Sequence, residues 1–119
     1  MVKFTAYLVF LFAFLFVVAS ADYEITNPTA PTVWHKGSFA TIRWLNLGKP
    51  DVKKTVIALR KGDPANLDHV MIINPSINAN KRLFRFRVPK SLPAGNDYVL
   101  QIGEIGKQVS YSHPFTISD

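Results

Sequence analysis

Short alternating runs of apolar and polar residues, broken by glycine, proline, asparagine and aspartate, recur about every ten residues after position 22. No stretch of about 10 to 12 residues in this part of the chain carries the periodicity of a helix. Regularly spaced short strands are typical of an antiparallel sandwich or barrel, so we predict an all-β domain. The predicted strands are residues 23–26, 32–34, 38–45, 54–61, 69–73, 83–88, 98–103 and 109–117.

Two of these strands have unambiguous faces, because successive side chains of a strand point to opposite sides. In FATIRWL, Ala40, Ile42 and Trp44 share one side, whereas Thr41 and Arg43 share the other. We expect Ile42 and Trp44 to lie in the core.

The segment RLFRFRV separates its aromatic residues from its basic ones in the same way. Phe84 and Phe86 point to one side, and Arg85 and Arg87 point to the other. The aromatic pair and the basic pair of this strand therefore cannot form one surface. We predict that the phenylalanines are core residues and that the arginines are solvated.

The segment LPAGNDYVLQI places Tyr98 at the start of a strand, directly after a turn, and on one face with Leu100 and Ile102. This arrangement is typical of a tyrosine corner, in which the hydroxyl group bonds to a backbone group upstream. It favours an immunoglobulin-like or fibronectin type III-like sandwich of about seven strands. The alternative is an ordinary half-buried tyrosine after a turn.

The last predicted strand, VSYSHPFTI, alternates throughout its length. This pattern predicts that alternate residues of the strand point inward. Pro114 lies on the other face, and because proline has no backbone donor, it suggests that this strand is at an edge of its sheet. The predicted inward set is Val109, Tyr111, His113, Phe115 and Ile117.

The N-terminal segment has the parts of a secretory signal peptide. Lys3 precedes an apolar run over residues 7–18, and the small residues 19–21 follow that run. The run is short for a membrane span. We therefore predict that residues 1–21 are removed and that residues 22–119 form one secreted domain, although a retained signal anchor is the alternative. The chain has no cysteine, so its stability is expected to come from packing.

The remaining domain is basic. Without Lys3 it has thirteen Lys and Arg residues against eight Asp and Glu residues, a net charge of +5. Such a surplus favours acidic partners, and for a secreted protein we expect glycans rather than nucleic acid. If strands 38–45 and 83–88 are neighbours, Arg43, Arg85 and Arg87 form a cationic stripe, which is the candidate glycan-binding site. The alternative is a solvated strand face.

No motif in the sequence indicates catalysis, a metal site or a cofactor. His35, His69 and His113 are far apart in sequence, and no nucleophile-elbow motif surrounds Ser110. A glycosidase would need a pair of carboxylates across a cleft, but the candidate acids all fall in turns, where aspartate has a conformational role. These acids are Asp51, Asp63, Asp68 and Asp97.

The order of motifs along residues 25–117 resembles a known family. The stretches that carry the resemblance are ITNPTAPTVW (25–34), T-I-x-W (41–44), L-R-K-G-D-P (59–64) and V-P-x-S-L-P-A-G-x-D-Y (88–98). They closely resemble the N-terminal domain of the yeast cell-wall-synthesis Kre/Knh family, which is shared with Ser/Thr-rich glycosylphosphatidylinositol-anchored fungal proteins. The resemblance implies a secreted sandwich associated with the fungal cell wall and, in the yeast members, with β-1,6-glucan assembly. It supplies no catalytic residues.

From these observations we expect a secreted, non-enzymatic, monomeric module, without a membrane anchor after signal cleavage, that contacts wall polysaccharide, either glucan or an acidic glycan. One alternative is a secreted effector or surface-interaction protein that binds another protein. A second alternative is an accessory factor in β-1,6-glucan assembly.

Overall fold

The computed structural model describes residues 22–48, 54–104 and 109–119, and the predicted leader lies outside these ranges. A 3₁₀ turn at Ala79–Lys81 precedes the sixth strand. Within the described ranges, no helix has the length and apolar character that would be needed to span a bilayer. The strands are β1 (Tyr23–Asn27), β2 (Val33–His35), β3 (Phe39–Asn46), β4 (Lys54–Asp63), β5 (Asn66–Asn78), β6 (Leu83–Arg87), β7 (Gly95–Ile102), β8 (Ser110–Tyr111) and β9 (Phe115–Ser118).

The strands form two sheets. The smaller sheet has the order β1-β3-β6, and the larger one has the order β2-β9-β7-β4-β5, with β8 also paired to β7. This architecture confirms the predicted all-β, immunoglobulin-like sandwich. The pairing of β2 with β9 is parallel, whereas the other pairs are antiparallel, so the short β2 departs from a purely antiparallel arrangement.

The core lies between the two sheets and consists of alternate residues of β3, β4, β7 and β9. Trp44 and Tyr98 are buried, and Phe84 and Phe86 are half-buried and pack against the same cluster. The other large, fully buried side chains are mostly aliphatic: Ile42, Ile57, Leu59, Leu100, Ile102 and Ile117, with Phe115.

The hydroxyl group of Tyr98 donates a hydrogen bond to the backbone carbonyl of Pro93. The ring of Tyr98 is fully buried, and Leu92, one residue before Pro93, also lies in the core. This is the hydrogen bond of a tyrosine corner. It fixes the turn that leads into β7, the strand in the middle of the larger sheet.

We expect the substitution Tyr98→Phe to lower the free energy of unfolding by about 1 to 2 kcal/mol, because the Pro93 carbonyl loses its donor while the ring stays. Chemical denaturation measures the change. Tyr111→Phe is the matched control, since Tyr111 is 51% exposed and its change should stay within about 0.5 kcal/mol. Equal losses of stability in the two variants would contradict the assignment of Tyr98 as a tyrosine corner.

The inward position predicted for His113 and Tyr111 is wrong. Both side chains are exposed, whereas Ser110 and Ser112 are buried. The hydroxyl group of Ser112 accepts a hydrogen bond from the backbone N–H of Leu100 at 2.9 Å and donates one to the carbonyl of His113. This side-chain bond replaces a backbone bond of β7 between the stretch of β7 that pairs with β8 and the stretch that pairs with β9, and the alternation shifts by one residue before Phe115.

The strand β5 is longer and less regular than predicted. It spans thirteen residues, pairs only with β4 among the described strands, and forms the outer edge of the larger sheet. Its register shifts three times against β4, because extra residues are inserted between His69 and Met71, between Ile72 and Asn74, and between Asn74 and Ile77. Such bulges bend a strand and strengthen its twist.

Candidate binding face

The strands β3 and β6 lie side by side and pair without a bulge. In their register Arg85 is opposite Thr41, and Arg43 is opposite Leu83. Diagonal neighbours in such a pair are about 7 to 8 Å apart, so Arg43 and Arg85 are close along the sheet. Arg87 follows on the same side of β6. All three arginines are exposed, and they lie on one outer surface.

The sequence analysis did not single out Phe39, which lies on the same surface. It is opposite Arg87 in the register and is 59% exposed. The guanidinium carbon of Arg85 lies 4.3 Å from the centroid of its ring, and that of Arg87 lies 5.8 Å away. Both are within cation–π range. We call the outward residues of the paired stretches 39–43 of β3 and 83–87 of β6 the arginine face; they are Phe39, Thr41, Arg43, Leu83, Arg85 and Arg87.

One end of the arginine face is fixed by the backbone of the preceding turn. The Nε of Arg87 donates a hydrogen bond to the carbonyl of Gly37 at 2.8 Å. The side chain of Lys90 lies against Gly37, so close that a Cβ atom at position 37 would be 2.9 Å from the Cε of Lys90. Gly37 also has a φ of 79°, which disfavours other residues. A further cation, Lys90, therefore lies against the turn whose carbonyl holds Arg87.

The charge of the arginine face is not neutralised within the described part of the chain. No described carboxylate lies within ion-pair distance of Arg43, Arg85 or Arg87. Glu24 of β1 is exposed on the same surface, opposite Leu45, and is therefore a diagonal neighbour of Arg43, but the two form no ion pair, and Glu24 lies at the end of β3 remote from Phe39. Among the described residues, none of the three arginines therefore has an ionic partner that would compete with an external anion.

Several basic residues outside this face already have partners. Arg60 donates hydrogen bonds to the side chain of Gln101 at 2.9 Å and to the carbonyl of Leu67 at 2.7 Å, and thereby joins β4 to β7 and β5. The ammonium of Lys36 lies 2.6 Å from the carboxylate of Asp119, and its hydrogen bond holds the pKa of that carboxyl below its usual value. These cations stabilise the fold or a local turn.

The residues weighed for catalysis are dispersed. His35, His69 and His113 are exposed and lie on β2, on β5 and before β9, and no described set of three ligating side chains is grouped to hold a metal ion. The hydroxyl of Ser110 accepts a hydrogen bond from the backbone N–H of Tyr23 at 3.1 Å.

The described candidate acids lie in the β4–β5 hairpin and on the neighbouring strand β7. The carboxylate of Asp63 accepts a hydrogen bond from the N–H of Ala65 within the β4–β5 turn. Asp68 lies in the same hairpin, opposite Lys61, and Asp97 lies on β7. Asp51 lies outside the described residues.

A family model described as the Kre9/KNH-like N-terminal Ig-like domain matches residues 27–117. The chain belongs to this family. No curated protein matches the chain as a relative. Membership in the Kre9/KNH-like family associates the chain with the fungal cell wall and with glucan synthesis.

The motif residues of this Kre9/KNH-like domain hold the fold together. In L-R-K-G-D-P, Leu59 is in the core, Arg60 joins three strands, and the Lys61 ammonium lies 5.0 Å from the Tyr98 ring centroid. The V-P-x-S-L-P-A-G-x-D-Y stretch forms the tyrosine corner.

Proposed function

We propose that this Kre9/KNH-like domain is a secreted, non-catalytic module that binds cell-wall polysaccharide through the arginine face. The observation that carries the proposal is the set of three exposed arginines on adjacent strands, without a described carboxylate partner, beside the exposed ring of Phe39. An exposed sheet surface can contact an extended polymer along its length. The association of the family with the cell wall supplies the setting.

The chemistry of the face favours an acidic polysaccharide over a neutral one. A guanidinium group presents several N–H donors in a planar fork that matches carboxylate and phosphate groups. The net charge of the domain without the leader, +5, adds long-range attraction to polyanions. Because the arginines are exposed, this attraction should weaken as added salt shortens the Debye length from about 10 Å at 0.1 M to about 3 Å at 1 M.

We expect the triple substitution of Arg43, Arg85 and Arg87 to glutamine to abolish retention on acidic wall fractions at low salt. The three side chains are exposed, so the variant should fold with a stability change within about 0.5 kcal/mol per site. Retention on isolated acidic and neutral wall fractions at two salt concentrations measures binding, and thermal unfolding checks the fold.

A matched control removes the same charge elsewhere. Lys54, Lys81 and Arg82 are exposed and lie outside the arginine face, and their change to glutamine should leave most of the retention intact. Equal loss in both triple variants would show that only net charge matters. Full retention by the variant in the arginine face would reject this face as the binding surface.

A further inference from the structure

The end of the arginine face around Phe39 differs chemically from the rest of it. Arg85 covers part of the Phe39 ring at 4.3 Å, yet 59% of the residue stays exposed. Arg87 is held at the ring by its bond to Gly37, and Lys90 lies beside that glycine. A largely exposed aromatic ring thus has two guanidinium groups within cation–π distance, one of which is held by a backbone hydrogen bond, and Lys90 lies beside the adjoining turn.

A ligand that matches this arrangement must be apolar on one face and anionic at its edge. A pyranose ring presents C–H groups on its faces, and these can stack on an aromatic side chain and remove apolar surface from water. A carboxylate attached to the sugar ring lies at its edge. When the sugar ring stacks on the part of Phe39 that Arg85 leaves exposed, that carboxylate lies within reach of the two guanidinium groups at the phenylalanine.

We infer that Phe39, with Arg85 and Arg87 at its ring and Lys90 beside the adjoining turn, forms a subsite for one uronate unit, that is, a pyranose that carries its own carboxylate. This inference rests on the proposed function and specifies its ligand class. A neutral glucan would contact the ring but leave the cations without partners. An acidic polypeptide would pair with the cations but leave the ring uncovered.

The test compares two polyanions that differ in the presence of sugar rings, polygalacturonate and poly-glutamate, at equal ionic strength. Phe39→Leu keeps an apolar side chain but removes the ring, and Phe39→Tyr keeps the ring. We expect Phe39→Leu to weaken binding to polygalacturonate about tenfold, the factor that corresponds to about 1.4 kcal/mol. Binding to poly-glutamate should change less than about twofold in the same variant, and Phe39→Tyr should resemble the wild type on both polymers.

The outcomes separate this inference from the proposed function. If Phe39→Leu weakens binding to both polymers equally, or to neither, the subsite is wrong, while arginine-dependent retention on wall polysaccharide would still support the proposed function. Tighter binding of the wild type to poly-glutamate than to polygalacturonate would also overturn the inference. If the wild type binds no wall fraction and neither polymer, both proposals fail.

Discussion

Replacing Trp44 by alanine should lower the free energy of unfolding by about 3 to 5 kcal/mol, a large share of the 5 to 15 kcal/mol typical of a domain. Trp44 is 1% exposed, and its Nε1 donates a hydrogen bond to the carbonyl of Ala79 at 2.9 Å. The substitution therefore opens a cavity and removes a hydrogen bond between β3 and the 3₁₀ turn. Urea denaturation followed by circular dichroism measures the loss, because a tryptophan substitution changes the fluorescence signal itself.

A second variant makes the cavity smaller while it still removes the hydrogen bond. Trp44→Phe retains an aromatic ring but leaves the Ala79 carbonyl without its donor, and Ala79 is fully buried. We expect a loss of about 1 to 3 kcal/mol, the range for an unsatisfied buried polar group. An unchanged midpoint of unfolding in Trp44→Ala would show that this part of the core is assigned wrongly.

The substitution Trp34→Ala should have an effect of similar size, about 3 to 5 kcal/mol. Trp34 is 4% exposed on β2, a strand of only three residues. Its ring lies 4.5 Å from that of Phe115 and 5.2 Å from that of Phe86, measured between centroids. Because Phe86 belongs to the smaller sheet and Phe115 to the larger one, Trp34 connects the two sheets. Val33→Ala is the control, since Val33 is 47% exposed.

A double-mutant cycle with Phe86→Ala tests this connection directly. Trp34 and Phe86 meet edge to face, at 71° between ring planes, an arrangement worth about 0.5 to 1.5 kcal/mol beyond area burial. We therefore expect the two losses in unfolding free energy to be non-additive by at least about 0.5 kcal/mol. Strict additivity would mean that Trp34 stabilises the larger sheet alone.

Strands that pair regularly could be predicted in detail from the sequence. The pairing of β3 with β6 has no register shift, so alternation assigns Ile42 and Trp44 to the core and Arg43 to solvent. Where a side chain or an extra residue enters the ladder, alternation fails. Ser112 interrupts the last strand by bonding to the backbone of Leu100, and three inserted residues in β5 leave no mark in a pattern of apolar residues.

Only part of the candidate site could be predicted from the sequence. Alternation predicted that the three arginines are exposed, and the assumption that β3 and β6 are neighbours predicted that they lie together. Phe39 shares their face by the same alternation, but its contact with Arg85 and Arg87 depends on the register between β3 and β6, which a single sequence does not specify. The position of Lys90 depends on the turn geometry at Gly37. The sequence pattern of a single strand therefore could not predict contacts between strands that are distant in sequence.

The bulges of β5 limit how another polypeptide can extend the larger sheet. An open strand edge is a template for aggregation when its hydrogen-bonding groups form a long, regular row. The pairing of β5 with β4 is regular over residues 66–69 and again over residues 71–72. The register then shifts before Asn74 and once more before Ile77. The apolar stretch Val70–Ile73 thus coincides with the irregular part of the edge, and Pro75 follows it without a backbone donor. A fibril-forming strand that approached this edge would lose registry after a few residues, which protects a cysteine-free domain against ordered self-assembly.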